Sequence, residues 1–127
     1  MAKAIHDDVF DAALAEVATA TRMVVYGPSS TVGASVASAT FGSLAVTAMT
    51  AGDGNGDYTI GVGDASGRKV AVAEQASLTV DTTGTATHIC LDDGTDLLLV
   101  TTCTNQLLTF GNTVTVPTFD FEITAPA

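Results

Sequence analysis

The stretch Gly84-Thr-Ala-Thr-His-Ile-Cys-Leu-Asp-Asp-Gly-Thr-Asp-Leu-Leu-Leu-Val-Thr-Thr-Cys103 predicts two strands joined by a tight acidic turn. In the first strand Ile89 and Leu91 share one face, and His88 and Cys90 share the other. The run from Leu97 to Val100 is apolar on both faces, which a strand tolerates when it is covered on both sides. We therefore expect this hairpin to be the scaffold that the remaining elements cover or flank.

Residues 5–21 form the one strong helical pattern of the chain. Asp7 and Asp8 stand where acidic residues cap free N–H groups at a helix start, and Arg22 stands where a cation favours a helix end. The pattern predicts a single apolar stripe that lies on a sheet or on a neighbouring subunit, made by Ile5, Val9, Phe10, Ala13, Leu14 and Val17.

Short alternating or apolar segments separated by Gly, Pro and Asp follow this helix through the rest of the chain. The spacing of these turn signals predicts a mainly β protein, an antiparallel sandwich or barrel of about eight strands. We expect one domain over residues 1–127, with the helix at 5–21, the strands within 22–124 and a mobile loop near 28–40. Pro117 interrupts the alternation of the last two strands and predicts an edge position or a bulge.

The composition is poor in charge and strongly acidic. Charged residues make up 14% of the 127 residues, and four basic residues against fourteen acidic ones give a net charge of −10. Few charges on a soluble protein indicate a surface partly covered by partners or by copies of itself. The acidic balance argues against nucleic acid and against anionic membranes as partners. The first ten residues contain no apolar signal-peptide segment and no run approaches a membrane span, so we expect folding in a cytoplasm.

The loop from Asp53 to Asp57 resembles the start of a calcium-binding loop. Oxygen-bearing side chains stand at its first, third and fifth positions, and an acid stands at the twelfth, so the candidate ligands are Asp53, Asn55, Asp57 and Asp64. The sixth position is Tyr58 where a calcium loop needs Gly, and a strand rather than a helix follows. A plain Gly/Asp hairpin loop is the favoured interpretation.

His88, Cys90 and Cys103 form a second candidate cluster for a metal. If Asp92 pairs with Leu97, Cys90 faces Leu99 and Cys103 faces Ala86, which separates the cysteines by about 13 Å along the sheet. That distance excludes a disulfide, and the cluster has no fourth ligand or close ligand pair. We expect two free, partly buried thiols and no metal or cofactor.

The sequence carries no catalytic motif. It contains no G-x-S-x-G nucleophile elbow and no phosphate-binding glycine pattern. Asp92, Asp93 and Asp96 cluster at a turn, where Asp is common. Arg68 and Lys69 are expected to start a strand and to pair with acids of this chain or of a neighbour. We therefore expect a protein that is not an enzyme.

Six segments together resemble a family of small proteins encoded among the virion structural genes of tailed bacteriophages and related prophages. The likeness covers nearly the whole chain except residues 27–57. The segments are Met1-Ala-Lys-Ala-Ile-His-Asp-Asp-Val9, Ser66-Gly-Arg-Lys-Val70, Gly84-Thr-Ala-Thr-His-Ile89, Leu98-Leu-Val-Thr-Thr-Cys-Thr104, Gly111-Asn-Thr-Val114 and Pro117-Thr-Phe-Asp-Phe-Glu-Ile123.

The resemblance implies a virion component that is assembled in the host bacterial cytoplasm. Its expected role is that of a capsid decoration (cement) protein, a homo-oligomer such as a trimer that binds the major capsid protein or other virion proteins. The loop at 28–40 or the N-terminal segment would then be the arm that grips the capsid. Three alternatives remain open: a minor tail or head–tail component, a carbohydrate- or calcium-binding β-sandwich module, and a small hydrolase built around His88.

Overall fold

A computed structural model describes residues 5–27 and 43–124 of the chain. In chain order it contains one helix and nine strands: α1 (Asp7–Val17), β1 (Arg22–Tyr26), β2 (Ala45–Ala48), β3 (Tyr58–Val62), β4 (Arg68–Val72), β5 (Gln75–Thr79), β6 (Gly84–Asp92), β7 (Leu97–Leu108), β8 (Thr113–Val116) and β9 (Phe119–Ile123). The expected loop near 28–40 and the N-terminal segment before Ile5 lie outside the described residues.

All strand pairs in the described residues are antiparallel and belong to three sheets. A four-stranded sheet has the order β2-β1-β6-β7, a three-stranded sheet has the order β3-β4-β9, and β5 pairs with β8. The mainly β class is therefore confirmed, and the sheets do not close into a barrel. The main core lies between them, with Leu14 of α1, Met23 of β1, Val70 of β4 and Leu91 of β6 all fully or almost fully buried.

Helix α1 is shorter than the sequence pattern predicts and uses a narrower face. His6 is its N-cap and accepts a hydrogen bond from the Asp8 N–H at 3.1 Å, so the predicted capping by Asp7 and Asp8 is wrong. The helix ends at Val17 because the following turn leads directly into β1. Its buried residues are Phe10, Leu14 and Val17, whereas the predicted stripe residues Ile5, Val9 and Ala13 are exposed.

The hairpin β6–β7 forms as predicted, but its second strand is not covered on both faces. Strand β7 is the edge of its sheet, and Val100 is 38% exposed. The strand covered on both faces is β6, which lies between β1 and β7. Its residue Leu91 packs in the main core, and its residue Cys90 packs on the opposite face with Val24, Tyr26 and Leu97.

The predicted register of this hairpin holds at the turn and fails beyond it. Asp92 pairs with Leu97 as expected, but Cys90 lies opposite Val100 rather than Leu99. Ala86 lies opposite Gln106 rather than Cys103. Two irregularities, each adding residues to β7, shift the pairing.

Pro117 marks a change of sheet. The strand before it, β8, pairs with β5, and the strand after it, β9, pairs with β4. The alternation of apolar residues restarts there because the chain leaves one sheet and enters another. The predicted bulge or edge at Pro117 is thus a crossover between sheets.

Candidate functional site

The loop that resembles a calcium site uses its first two candidate ligands to hold its own backbone. The Asp53 Oδ1 atom accepts a hydrogen bond from the Ile60 N–H at 2.8 Å. The Asn55 amide group donates to the Ala51 carbonyl at 2.9 Å. These bonds hold the loop against β3 and against the backbone that precedes the loop.

The third candidate ligand, Asp57, connects three segments of the chain. Its Oδ2 atom accepts a hydrogen bond from the Thr50 N–H, and its Oδ1 atom accepts one from the Gln75 side chain at 3.2 Å. Both carboxylate oxygens are therefore engaged with protein donors. Asp57 therefore links the loop to β5 through these hydrogen bonds.

The fourth candidate, Asp64, lies away from the other three. It follows β3, whereas Asp57 precedes that strand, and the five residues of β3 span about 13 Å. The Asp64 Oδ1 atom is 2.6 Å from the Lys69 ammonium group. The four predicted ligands thus do not converge on one point, and the calcium-loop arrangement is not formed.

The second candidate cluster is divided between the two faces of the four-stranded sheet. His88 and Cys90 share one face, and the His88 Nδ1 atom is 2.8 Å from the Thr87 hydroxyl. Cys103 packs against the main core on the opposite face. The predicted register, with Cys103 opposite Ala86, would have placed Cys103 on the face of His88 and Cys90, and the irregular pairing of β7 places it on the other face.

Both cysteines are free thiols in environments that disfavour the thiolate. Burial, and secondarily the charge of Asp92, raises the pKa of Cys90 to about 12. Burial also raises the pKa of Cys103. A nucleophilic cysteine needs the opposite shift, because the thiolate is the reactive form.

A shallow apolar groove runs beside Cys103 between β7 and the β8–β9 segment. Its two adjoining parts measure about 230 Å³ and about 300 Å³ and share Ile89, Cys103, Thr104 and Pro117. None of the side chains that line it is charged, so it places no general base near the thiol. The groove offers an apolar depression and a weak thiol donor.

The basic side chains of the described residues are committed to acids of the same chain. Arg68 makes two bonds to Asp11, at 2.7 and 3.2 Å, which join β4 to α1. Lys69 contacts Asp64 at 2.6 Å and Asp120 at 3.3 Å. The hydrogen bond with Asp11 raises the pKa of Arg68, and the hydrogen bond with Asp64 raises that of Lys69. The predicted pairing of Arg68 and Lys69 with acids is confirmed, and the three acids that they contact belong to this chain.

Two buried polar contacts were not predicted from the sequence. Asp92 is fully buried and binds Arg22, although the pattern assigned Asp92 to a solvent-exposed turn and Arg22 to the helix end. The Tyr58 hydroxyl donates to the Ala20 carbonyl at 2.9 Å within the core. Burial raises the pKa of Tyr58, and the charges of Asp57 and Asp92 add to the effect. No local signal identifies either pair, because their members are separated by 70 and 38 residues.

Across residues 5–27 and 43–124, no group of three or more His, Cys, Asp and Glu side chains is arranged to hold a metal ion. The same part of the chain contains no helix with the length and apolar character that a membrane span requires. Comparison of the chain with protein-family models, with curated proteins and with solved structures finds no match in any of the three.

Proposed function

We propose that this chain is a non-enzymatic structural protein of a tailed bacteriophage virion, where it acts as a capsid decoration protein that stabilises the head. The assignment to a virion rests on the resemblance of its strand and turn segments to small virion proteins. Its partner is the major capsid protein, and it acts through protein–protein contacts alone.

The observation that carries the proposal is the character of the exposed surface. Among residues 5–27 and 43–124, eight large apolar side chains are at least a third exposed, and Val62, Leu107 and Phe110 are about seven-tenths exposed. The charged residues that could screen them are few, since only 14% of the chain is charged. Exposed apolar side chains on a surface with little charge favour repeated contact with other proteins.

Electrostatics supports an outer rather than a DNA-facing position. The net charge is −10, and Arg22, Arg68 and Lys69 are each within 3.3 Å of a carboxylate of the same chain. Binding to packaged DNA requires cations that can displace the counterions of phosphates. A protein of this charge is repelled by DNA and tolerated on the outside of a protein shell.

The test is to locate the chain in purified virions of the phage or induced prophage that encodes it. We expect mass spectrometry to detect the chain in the particles and immunogold electron microscopy to label the heads. Deletion of the gene should leave heads that release their DNA at a lower temperature, and added purified protein should restore them.

The same experiment separates the alternatives. Label confined to the tail or to the neck would assign the chain to a minor tail or head–tail component and reject the decoration role. Purified virions without the chain would reject a structural role altogether. The variant Leu107→Ser with Phe110→Ser removes exposed apolar surface and should keep the fold. It should bind to heads that lack the protein less tightly than the wild type does.

A further inference from the structure

Strand β7 leaves one of its two edges unpaired by any described strand. Of the strands in residues 5–27 and 43–124, β6 is its only partner. It is also the longest strand, with 12 residues. The central part, Leu99–Thr102, pairs residue by residue with β6 and is therefore regular backbone whose outer N–H and C=O groups point away from the sheet.

The other edge strands of the two larger sheets are short or charged. Strand β2 has four residues and β3 has five. Strand β9 has five and carries Asp120 and Glu122. Proteins prevent edge-to-edge association in these ways, with short edges, charged side chains and proline. Strand β7 has neither a charge nor a proline from Leu97 to Leu108, although it belongs to a chain with a net charge of −10.

Three of the eight exposed large apolar side chains in the described residues lie on β7 or just beyond it. Val100 is 38% exposed, Leu107 is 69% exposed, and Phe110, two residues beyond the strand, is 69% exposed. Thr102 and Thr104 are exposed between them. An edge whose backbone groups pair with no described strand, and which carries exposed apolar side chains, has two reasons to associate: hydrogen bonding and removal of apolar surface from water.

We propose that β7 is the surface on which a second copy of this chain binds, by antiparallel pairing of the two β7 strands about a two-fold axis. A four-stranded sheet would then continue into its copy as one eight-stranded sheet. Strand β7 suits its own copy because antiparallel pairing of identical strands is self-complementary. Pairing along this uncharged segment brings two acidic chains together where no carboxylate of either strand faces the other, and Thr–Thr pairs across strands are favourable.

This inference goes beyond the proposed virion role, since it concerns self-association in solution. It also differs from the trimer that the family resemblance implies, because a two-fold strand pair closes as a dimer.

The test compares two variants with the same change of charge and of residue type. Val100→Asp with Thr102→Asp places acids on the β7 edge, and Val62→Asp with Thr59→Asp places them on exposed positions of the β3 edge. By light scattering after size exclusion and by sedimentation, we expect a wild-type dimer, a dimer of the β3 variant, and at least a tenfold weaker dimer of the β7 variant. A monomeric or trimeric wild type, or a β3 variant that dissociates while the β7 variant does not, would overturn the proposal.

A crosslinking experiment tests the β7 pairing even if the β7 variant does not fold. In a Cys90→Val, Cys103→Ser background, single cysteines at positions 100, 101 and 102 should give an oxidised dimer at the position nearest the axis, and Thr59→Cys should give none. A dimer that forms no disulfide at any of the three β7 positions would contradict pairing through this edge. A monomeric wild type whose β7 variant alone loses capsid binding would assign the edge to the capsid protein instead and reject the second copy.

Discussion

Arg22 and Asp92 form a two-point ion pair across the β1–β6 strand pair: Nε lies 2.9 Å from Oδ1, and Nη2 lies 3.1 Å from Oδ2. The Asp92 side chain is fully buried, while that of Arg22 is 26% exposed. Asp92 also accepts the Gly94 N–H at 3.1 Å through its carboxylate and the Thr21 N–H at 2.9 Å through its carbonyl. One residue thereby joins the end of the helical segment, the start of β1 and the hairpin turn.

Arg22→Met is expected to lower the free energy of unfolding by about 3 kcal/mol, because it leaves a buried carboxylate without its cation. Urea denaturation at pH 7 measures the loss. The double variant Arg22→Met with Asp92→Asn should recover part of it, since the uncompensated charge is gone. Arg68→Met is the matched control, and loss of its more exposed pair with Asp11 should lower the free energy of unfolding much less. Equal losses for the two single variants would contradict a special role for the buried pair.

Asp57→Ala is expected to destabilise the protein by about 1–3 kcal/mol in the complete absence of calcium, because the Thr50 N–H and the Gln75 side chain lose their acceptor. Millimolar calcium should leave the Tm of the wild type unchanged, since both Asp57 oxygens already have protein donors. Asp81→Ala, at an exposed acid, serves as the control and should change stability little. A rise of several degrees in Tm with calcium, abolished by Asp53→Ala, would restore the calcium-loop interpretation.

Asp93 is expected to make stability depend on pH in the acid range. Hydrogen bonds from the Asp96 and Thr95 N–H groups hold the pKa of this carboxyl below its ordinary value. The folded state therefore binds the Asp93 proton more weakly than the unfolded state. The stabilisation is complete above the ordinary pKa of about 4 and is lost as the pH falls through the lower folded value.

The check is a series of urea midpoints from pH 6 to pH 2.5. The difference between the wild type and Asp93→Asn should be larger at pH 6 and should shrink toward pH 2.5. Asp81→Asn should show no such trend. A difference that stays constant with pH would mean that the charge of Asp93 does not strengthen the turn.

The two thiols are expected to differ in accessibility to iodoacetamide. Cys90 is fully buried and Cys103 is only partly buried, so at pH 8 Cys103 should react first and Cys90 should react at the rate of unfolding. Mass spectrometry of the wild type, Cys90→Ser and Cys103→Ser assigns the label. Rapid labelling of Cys90 in the folded protein would show that the small cluster around it opens readily.

The raised pKa of Cys90 also has a consequence in alkali. The folded state binds this proton more strongly than the unfolded state, so its contribution is complete below the ordinary thiol pKa of about 8.5. It is lost as the pH rises from there toward about 12. Stability should therefore fall more steeply above pH 9 in the wild type than in Cys90→Val.

Much of the fold was predictable because its signals are local. The apolar segments and turn residues predicted a mainly β chain with one N-terminal helix, and the turn between β6 and β7 was predicted from its residues alone. Gly94 has a φ of 93°, a conformation that favours glycine, so the residue type itself indicates the position of the turn. The free thiols were predicted too, although the register used to argue for them was wrong.

The errors share one cause, the dependence of burial on partners that are distant in sequence. The run Leu97–Val100 has the composition of a strand covered on both faces, but Val100 is 38% exposed. Val9 fits a helical stripe, but the helix contacts the sheet through Phe10 and Leu14 instead.

Periodicity, turn residues and composition are properties of neighbouring residues, and they were enough to establish a mainly β chain with one helix, its turns and its acidic, weakly charged surface. Three features depend on contacts between segments tens of residues apart. They are the pairing order of the strands, the burial of Asp92 against Arg22, and the uncharged edge of β7 that pairs with no described strand. The packing of the whole core selects those contacts. Each strand could satisfy its backbone hydrogen bonds with many other strands, and only the assembled sheets determine which strand becomes its partner.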